Sequence, residues 1–158
     1  MKLIPLLRTG DPQHAIANPP AELGYVRSAY AGLYQRVGYA PPWLGYVATV
    51  DGHCVGTCGF KSPPVDNRVE IAYFTFPGFE GRGFATGMAR ALIDISVNEA
   101  PAVCIAAQTL PEESASTSIL RRLGFVCVDT VFHPDDGPVW EWRLECAQQD
   151  FASAASVG

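Results

Sequence analysis

The sequence has no long apolar run, no excess of positive charge and no cluster of cysteines and histidines at metal-ligand spacing. Each absence removes a class of function. The N-terminal MKLIPLLRTGD holds a short apolar patch without a long hydrophobic region or a small-residue cleavage site. No signal peptide and no membrane span are therefore expected. Eleven Lys and Arg against sixteen Asp and Glu leave a formal net charge of -5. That balance argues against nucleic acid or an anionic membrane as the main partner, and leaves room for a local basic site facing an anionic cofactor. Five cysteines (Cys54, Cys58, Cys104, Cys127 and Cys146) are an odd number without paired spacing. Four sit in strand-like apolar runs and read as small buried hydrophobes of a reducing cytoplasm. Only Cys54 has a near neighbour, His53, so no metal is expected. No internal repeat and no domain linker interrupts the chain.

What is present fits one ordinary domain. The chain has 158 residues, 48% of them hydrophobic, enough for a core without staples. The domain is expected over 1–146, with a small, polar, frayed tail at 147–158. Residues 2–8 read as a first strand, an edge strand because of Pro5. The turn-rich segment 10–20 leads to a helix over 21–37, where Leu23, Val26, Tyr30, Leu33, Tyr34 and Val37 recur at helical steps. Gly38 and Pro41-Pro42 stop it. Strands are expected over 43–50 and 53–60 about an Asp51-Gly52 hairpin turn, and over 68–76. A helix over 84–99 places Phe84, Met88, Leu92 and Ile95 on one face. A strand at 103–108, a helix at 111–123 ending at Gly124, and strands at 125–132 and 139–144 complete the order. Late helices crossing between strands imply local parallel pairing, and the hairpins antiparallel pairing. The fold class is a mixed α/β sheet, α+β in its antiparallel parts.

The turn between strand and helix, FEGRGFATG, resembles a nucleotide fingerprint and fails as one. A P-loop needs Lys-Ser/Thr after its last glycine, and Gly87 is followed by Met88-Ala89. A dinucleotide fold needs G-x-G-x-x-G after the first strand, and here Gly81-x-Gly83-x-x-x-Gly87 lies mid-chain. Glycines before a helix start still let backbone N–H groups reach an anion, where the helix N-terminus adds positive potential. Taken alone, the turn is either a pyrophosphate cradle or an ordinary strand-to-helix connection.

The surrounding residues carry a resemblance. VEIAYFTFPGFEGRGFATGMARALI is similar to the acetyl-CoA motif of the GNAT superfamily of N-acetyltransferases, Gln/Arg-x-x-Gly-x-Gly/Ala, with its positions on Glu80, Gly83 and Ala85. TLPEESASTSILRRLGF resembles the family's later Asn-x-x-Ser helix running into Gly-Phe, with Glu113, Ser116, Gly124 and Phe125 in those places. The likeness is nearest the branch that includes ribosomal-protein N-terminal acetyltransferases, and implies the GNAT-like acyl-CoA N-acyltransferase fold: a central mixed sheet flanked by helices.

The resemblance implies an enzyme that moves acetyl from acetyl-CoA to a primary amine by direct attack on the thioester. The amine belongs to a small molecule or a protein; a homodimer stays open. Backbone of Gly81, Arg82, Gly83, Phe84, Ala85 and Thr86 is expected to hold the pyrophosphate. The strand residues Tyr73, Phe74, Thr75 and Phe76 would pair with the pantetheine amides, and a backbone N–H there would polarise the thioester carbonyl. Three positions depart from the pattern. Glu80 puts a carboxylate beside the pyrophosphate, so either it points away with Arg82 nearer the phosphates, or affinity falls. Glu113 stands for Asn. Leu120 stands where many members have a tyrosine that protonates the leaving thiolate, which leaves Ser116 as the nearest donor by sequence, or as a helix-end hydrogen bonder. Glu70 is the candidate base for the ammonium, or a strand-edge carboxylate paired with Arg68. Residues 21–46, where such folds vary, form the candidate substrate wall; their tyrosines read either as half-buried core or as pocket lining. His14, His53 and His133 are given no role. A non-catalytic acyl-CoA-binding or regulatory domain is the competing reading.

Overall fold

The protein is described here by a computed structural model that covers residues 1–144. The expected boundary at 146, the tail at 147–158 and Cys146 lie outside the described residues. The elements are β1 Lys2–Pro5, α1 Glu22–Val37, β2 Gly45–Val50, β3 His53–Phe60, β4 Arg68–Thr75, α2 Phe84–Glu99, β5 Cys104–Thr109, α3 Ala115–Arg122, β6 Phe125–His133 and β7 Gly137–Leu144. They form one seven-stranded sheet in the order β1-β2-β3-β4-β5-β7-β6.

Local chemistry explains the order. Asp51 and Gly52 both take positive φ, 51° and 80°, the conformation that turns β2 tightly into β3. The α2 crossover returns the chain parallel to β4, pairing Arg68–Glu70 with Cys104–Ala106. The α3 crossover does not place β6 beside β5. Strand β7 lies between them, antiparallel to both. The expectation of parallel pairing thus holds for α2 and not for α3. Trp142 explains the insertion: it is 1% exposed, and its indole N–H donates to Thr109 Oγ1 at 2.9 Å. Strand β7, flanked on both sides, carries that ring into the main core. Helix α3 is shorter than 111–123, because Ser114 is extended and caps it. Ser114 Oγ accepts from Thr117 N–H, and Thr117 Oγ1 accepts from Ser114 N–H.

Two clusters fill the sheet's faces. Met88, Ala89 and Leu92 of α2 pack with Cys58, Phe60, Val69, Ile71 and Trp142 on one side. Leu23 and Val26 of α1 pack with Leu6, Val47, Cys54 and Phe76 on the other. The tyrosines of 21–46 are mostly part of this packing. Tyr34 is 5% exposed; its hydroxyl donates to Leu6 C=O and accepts from Gly45 N–H, both at 2.9 Å. Tyr30 lies across the Cα of Gly45, where a Cβ would stand 2.3 Å from the ring. Tyr25, by contrast, is exposed. Cys54 and Cys58 are buried, Cys104 is half-buried and Cys127 is exposed on β6, so burial accounts for only some of the four. Burial pushes the Cys58 thiol up to about 12. Among the described residues, no helix is long and apolar enough to cross a membrane, and no group of three His, Cys, Asp or Glu is placed to hold a metal.

Candidate active site

The site begins where β4 loses a neighbour. The β4–β5 ladder ends at Glu70–Ala106, while β4 runs on to Thr75 and β5 to Thr109. Past Glu70 the two strands part. On its other edge β4 stays paired with β3 as far as Gly56–Thr75. Backbone groups alternate between the two edges of a strand. Glu70 C=O accepts from Lys61 N–H and Phe76 N–H donates to Val55 C=O, both at 2.9 Å. Residues 70, 72, 74 and 76 therefore direct their main-chain groups to the β3 side, and Ile71, Tyr73 and Thr75 turn theirs to the open gap. Of the four strand residues expected to meet pantetheine, Tyr73 and Thr75 have amides facing the gap. Phe76 is 1% exposed and belongs to the core.

Two cavities occupy the parting. The larger, about 610 Å³, runs between the glycine turn and α3. Tyr73, Phe74, Thr75, Gly81, Gly83, Phe84, Ala85 and Thr86 line it from one side, and Ala115, Ser116, Ser118, Ile119 and Arg122 from the other. Gly81 and Gly83 take φ of 76° and 81°, and open space surrounds the place where a Cβ would stand at each. The first bond closing α2 runs from Gly87 N–H to Gly83 C=O at 3.1 Å. The N–H groups of Phe84, Ala85 and Thr86 thus have no partner inside the helix. Open space bounded by such donors suits an anion. Glu80 lines this groove. Arg82 does not; its guanidinium lies 5.8 Å over the Phe79 ring.

The smaller cavity, about 250 Å³, is lined by Lys61, Glu70, Ile71, Ala72, Tyr73, Gln108, Ser116, Leu120, His133 and Asp136, among others. Tyr73 and Ser116 line both spaces. Burial pushes the Tyr73 phenol up to about 12, so it keeps its proton. Leu120 is fully buried at the cavity wall. Glu70 faces away from the side of Ile71 and Tyr73, as strand alternation dictates.

Arg68 Nη2 lies 3.3 Å from Glu70 Oε1 and 2.6 Å from Glu141 Oε1, and its Nε donates to Glu141 Oε2 at 2.9 Å. The guanidinium is thus committed mainly to Glu141, with Glu70 at its edge. Glu141 also accepts from Gln108 and Arg143. Desolvation raises its pKa, but the bonds from Arg68, Gln108 and Arg143 outweigh this and hold it below the usual carboxylate range.

Sequence reasoning brought together Glu70, Ser116, Tyr73 and the glycine turn. It missed His133 and Asp136, which the β6–β7 turn carries to the smaller cavity. Asp135 and Asp136 N–H donate to His133 Nδ1 at 3.1 and 3.2 Å. The HPDDGP turn had signalled a hairpin, and only the placement of β7 between β5 and β6 aims it at the site. The groove cation Arg122 was missed as well. Neither cavity is lined by any residue of 21–46, the expected substrate wall.

The family model for the acetyltransferase (GNAT) domain matches residues 5–126. This chain belongs to the GNAT acetyltransferases. It is an acetyl-CoA-dependent N-acetyltransferase, with acetyl-CoA as co-substrate. The GNAT fold is shared with solved structures at low identity. A RimL ribosomal L7/L12 alpha-N-protein acetyltransferase in complex with coenzyme A is 19% identical with a TM-score of 0.62, covering 78% of this chain and 73% of that one. Aminoglycoside acetyltransferase AAC(6')-Ib with coenzyme A is 21% identical with a TM-score of 0.63, covering 87% and 83%. An acetyltransferase from Agrobacterium tumefaciens str. C58 is 19% identical with a TM-score of 0.58, covering 80% and 72%. No curated protein matches by sequence.

Proposed function

We propose that this GNAT enzyme acetylates the amine end of a cationic acceptor, a small molecule or a peptide N-terminus, that enters the smaller cavity while acetyl-CoA lies along the larger groove. The observation that carries the reading is that the two cavities meet at Tyr73 and Ser116. A thioester at that junction stands beside the gap-facing N–H of Tyr73, which would polarise its carbonyl. Gly81 to Thr86 would bind the pyrophosphate through main-chain N–H groups. The volume of about 250 Å³ admits an amine and a few atoms beyond it, and the two carboxylates Glu70 and Asp136, against the one ammonium of Lys61, favour a cation there.

An alkylammonium must lose a proton before it attacks. Glu70 takes that proton, directly or through one water. The amine nitrogen then bonds to the carbonyl carbon and the C–S bond breaks; the Ser116 hydroxyl gives its proton to the leaving sulfur and receives, directly or through water, the proton that the nitrogen sheds on becoming an amide, so the serine ends neutral. Leu120 has no proton to give. Arg68 at the edge of Glu70 holds the carboxylate in place. The free thiols of Cys54, Cys58, Cys104 and Cys127, the cysteines among the described residues, suit a reducing cytoplasm. The test is a panel of polyamines, aminoglycosides and short peptides, followed by thiol release. Cationic amines are expected to turn over and neutral bulky amines to fail. Preference for an anionic acceptor would overturn the cavity assignment.

A further inference from the structure

Charge in the cofactor groove is arranged unlike the glycine turn alone suggests. The turn's own arginine, Arg82, stacks over Phe79 and does not line the groove. The turn's contribution is Glu80, a carboxylate. The facing wall is α3. Its Ala115, Ser118, Ile119 and Arg122 recur at i, i+3, i+4 and i+7, which is one helical stripe, and all four line the groove. The neighbouring Arg121 is occupied: it pairs with Glu113 and stacks over the Trp142 ring at 5.1 Å. Arg122 has no carboxylate partner among the described residues; its Nε reaches only Ser118 C=O, at 3.5 Å.

We infer that Arg122 is the phosphate-binding cation of the groove, offsetting Glu80 across it and contacting a phosphate of the coenzyme A substrate. The inference rests on the reading that the larger groove holds the coenzyme. A guanidinium meets phosphate oxygens through a fork of N–H donors, and one that is unpaired beforehand gives up no competing ion pair on binding. Because both groups are exposed, salt must screen the contact.

The test is calorimetric titration with coenzyme A at about 20 mM and about 500 mM NaCl. Arg122→Gln is expected to weaken binding about fivefold at low salt, the scale of an exposed charge contact. The difference from wild type should shrink toward none at high salt. Glu80→Gln should tighten binding at low salt. Equal affinity of Arg122→Gln and wild type at low salt overturns the inference, as does a loss that persists undiminished at high salt, which marks a steric role. Gly83→Asp separates the two levels: if it binds normally, the groove assignment fails; if it loses binding while Arg122→Gln does not, only the arginine's role fails.

Discussion

Replacing Gly83 by alanine and by aspartate separates backbone strain from the charge that the turn is built to receive. Gly83 is the residue before α2 and takes φ of 81°. A side chain held in this left-handed conformation costs about 1 kcal/mol. No atom lies within 4 Å of an added Cβ, so packing adds nothing. Both variants should therefore melt about 2 to 4 °C below wild type without ligand. Coenzyme A at a hundred times its Kd stabilises the wild type by about 2.7 kcal/mol. The Gly83→Ala variant should keep that increment. An aspartate places a unit charge about 4 Å from phosphate, a repulsion of about 1 to 4 kcal/mol depending on solvent access. Taking about 2 kcal/mol, affinity drops about thirtyfold and the remaining stabilisation at the same concentration is about 0.9 kcal/mol. Thermal shift with and without coenzyme A reads both numbers. If the aspartate variant gains as much as wild type, the phosphates do not sit on this turn.

Glu70→Gln should lower kcat most steeply at low pH, and a pH–rate profile parallel to wild type would remove Glu70 from the chemistry. Tyr34→Phe leaves Leu6 C=O and Gly45 N–H without their buried partner, a loss of about 1 to 3 kcal/mol in urea denaturation with KM for the acceptor unchanged. Glu141 has a folded pKa below its unfolded value near 4.5, so its contribution is present above pH 4.5 and is lost as pH falls through the lower folded value. Glu141→Gln should flatten the stability profile in that acidic window, and an unchanged acid limb would contradict the ion-pair account.

The parts legible in the sequence are those written in local chemistry. Asp51-Gly52 specified its hairpin, Met88 and Leu92 the buried face of α2, and Pro5 an edge strand. The glycine turn was visible because a motif marks it by spacing. The α3 boundary slipped because Ser114 outcompeted the helical pattern upstream with a cap. Long-range pairing was hidden: nothing near 125–144 says that β7 enters between β5 and β6, and that insertion carries His133 and Asp136 to the cavity. The tyrosines of 21–46 stayed open between a wall and a core because tyrosine suits both. The backbone partners of Tyr34, supplied by β2 and the segment after β1, decided for the core.

The most direct test of the account is a crystal structure with acetyl-CoA bound. It should have the pyrophosphate on the N–H groups of Gly81 to Thr86, pantetheine amides paired with Tyr73 and Thr75, and the thioester between Tyr73 and Ser116. Coenzyme bound elsewhere, or with its thioester remote from that junction, would contradict it.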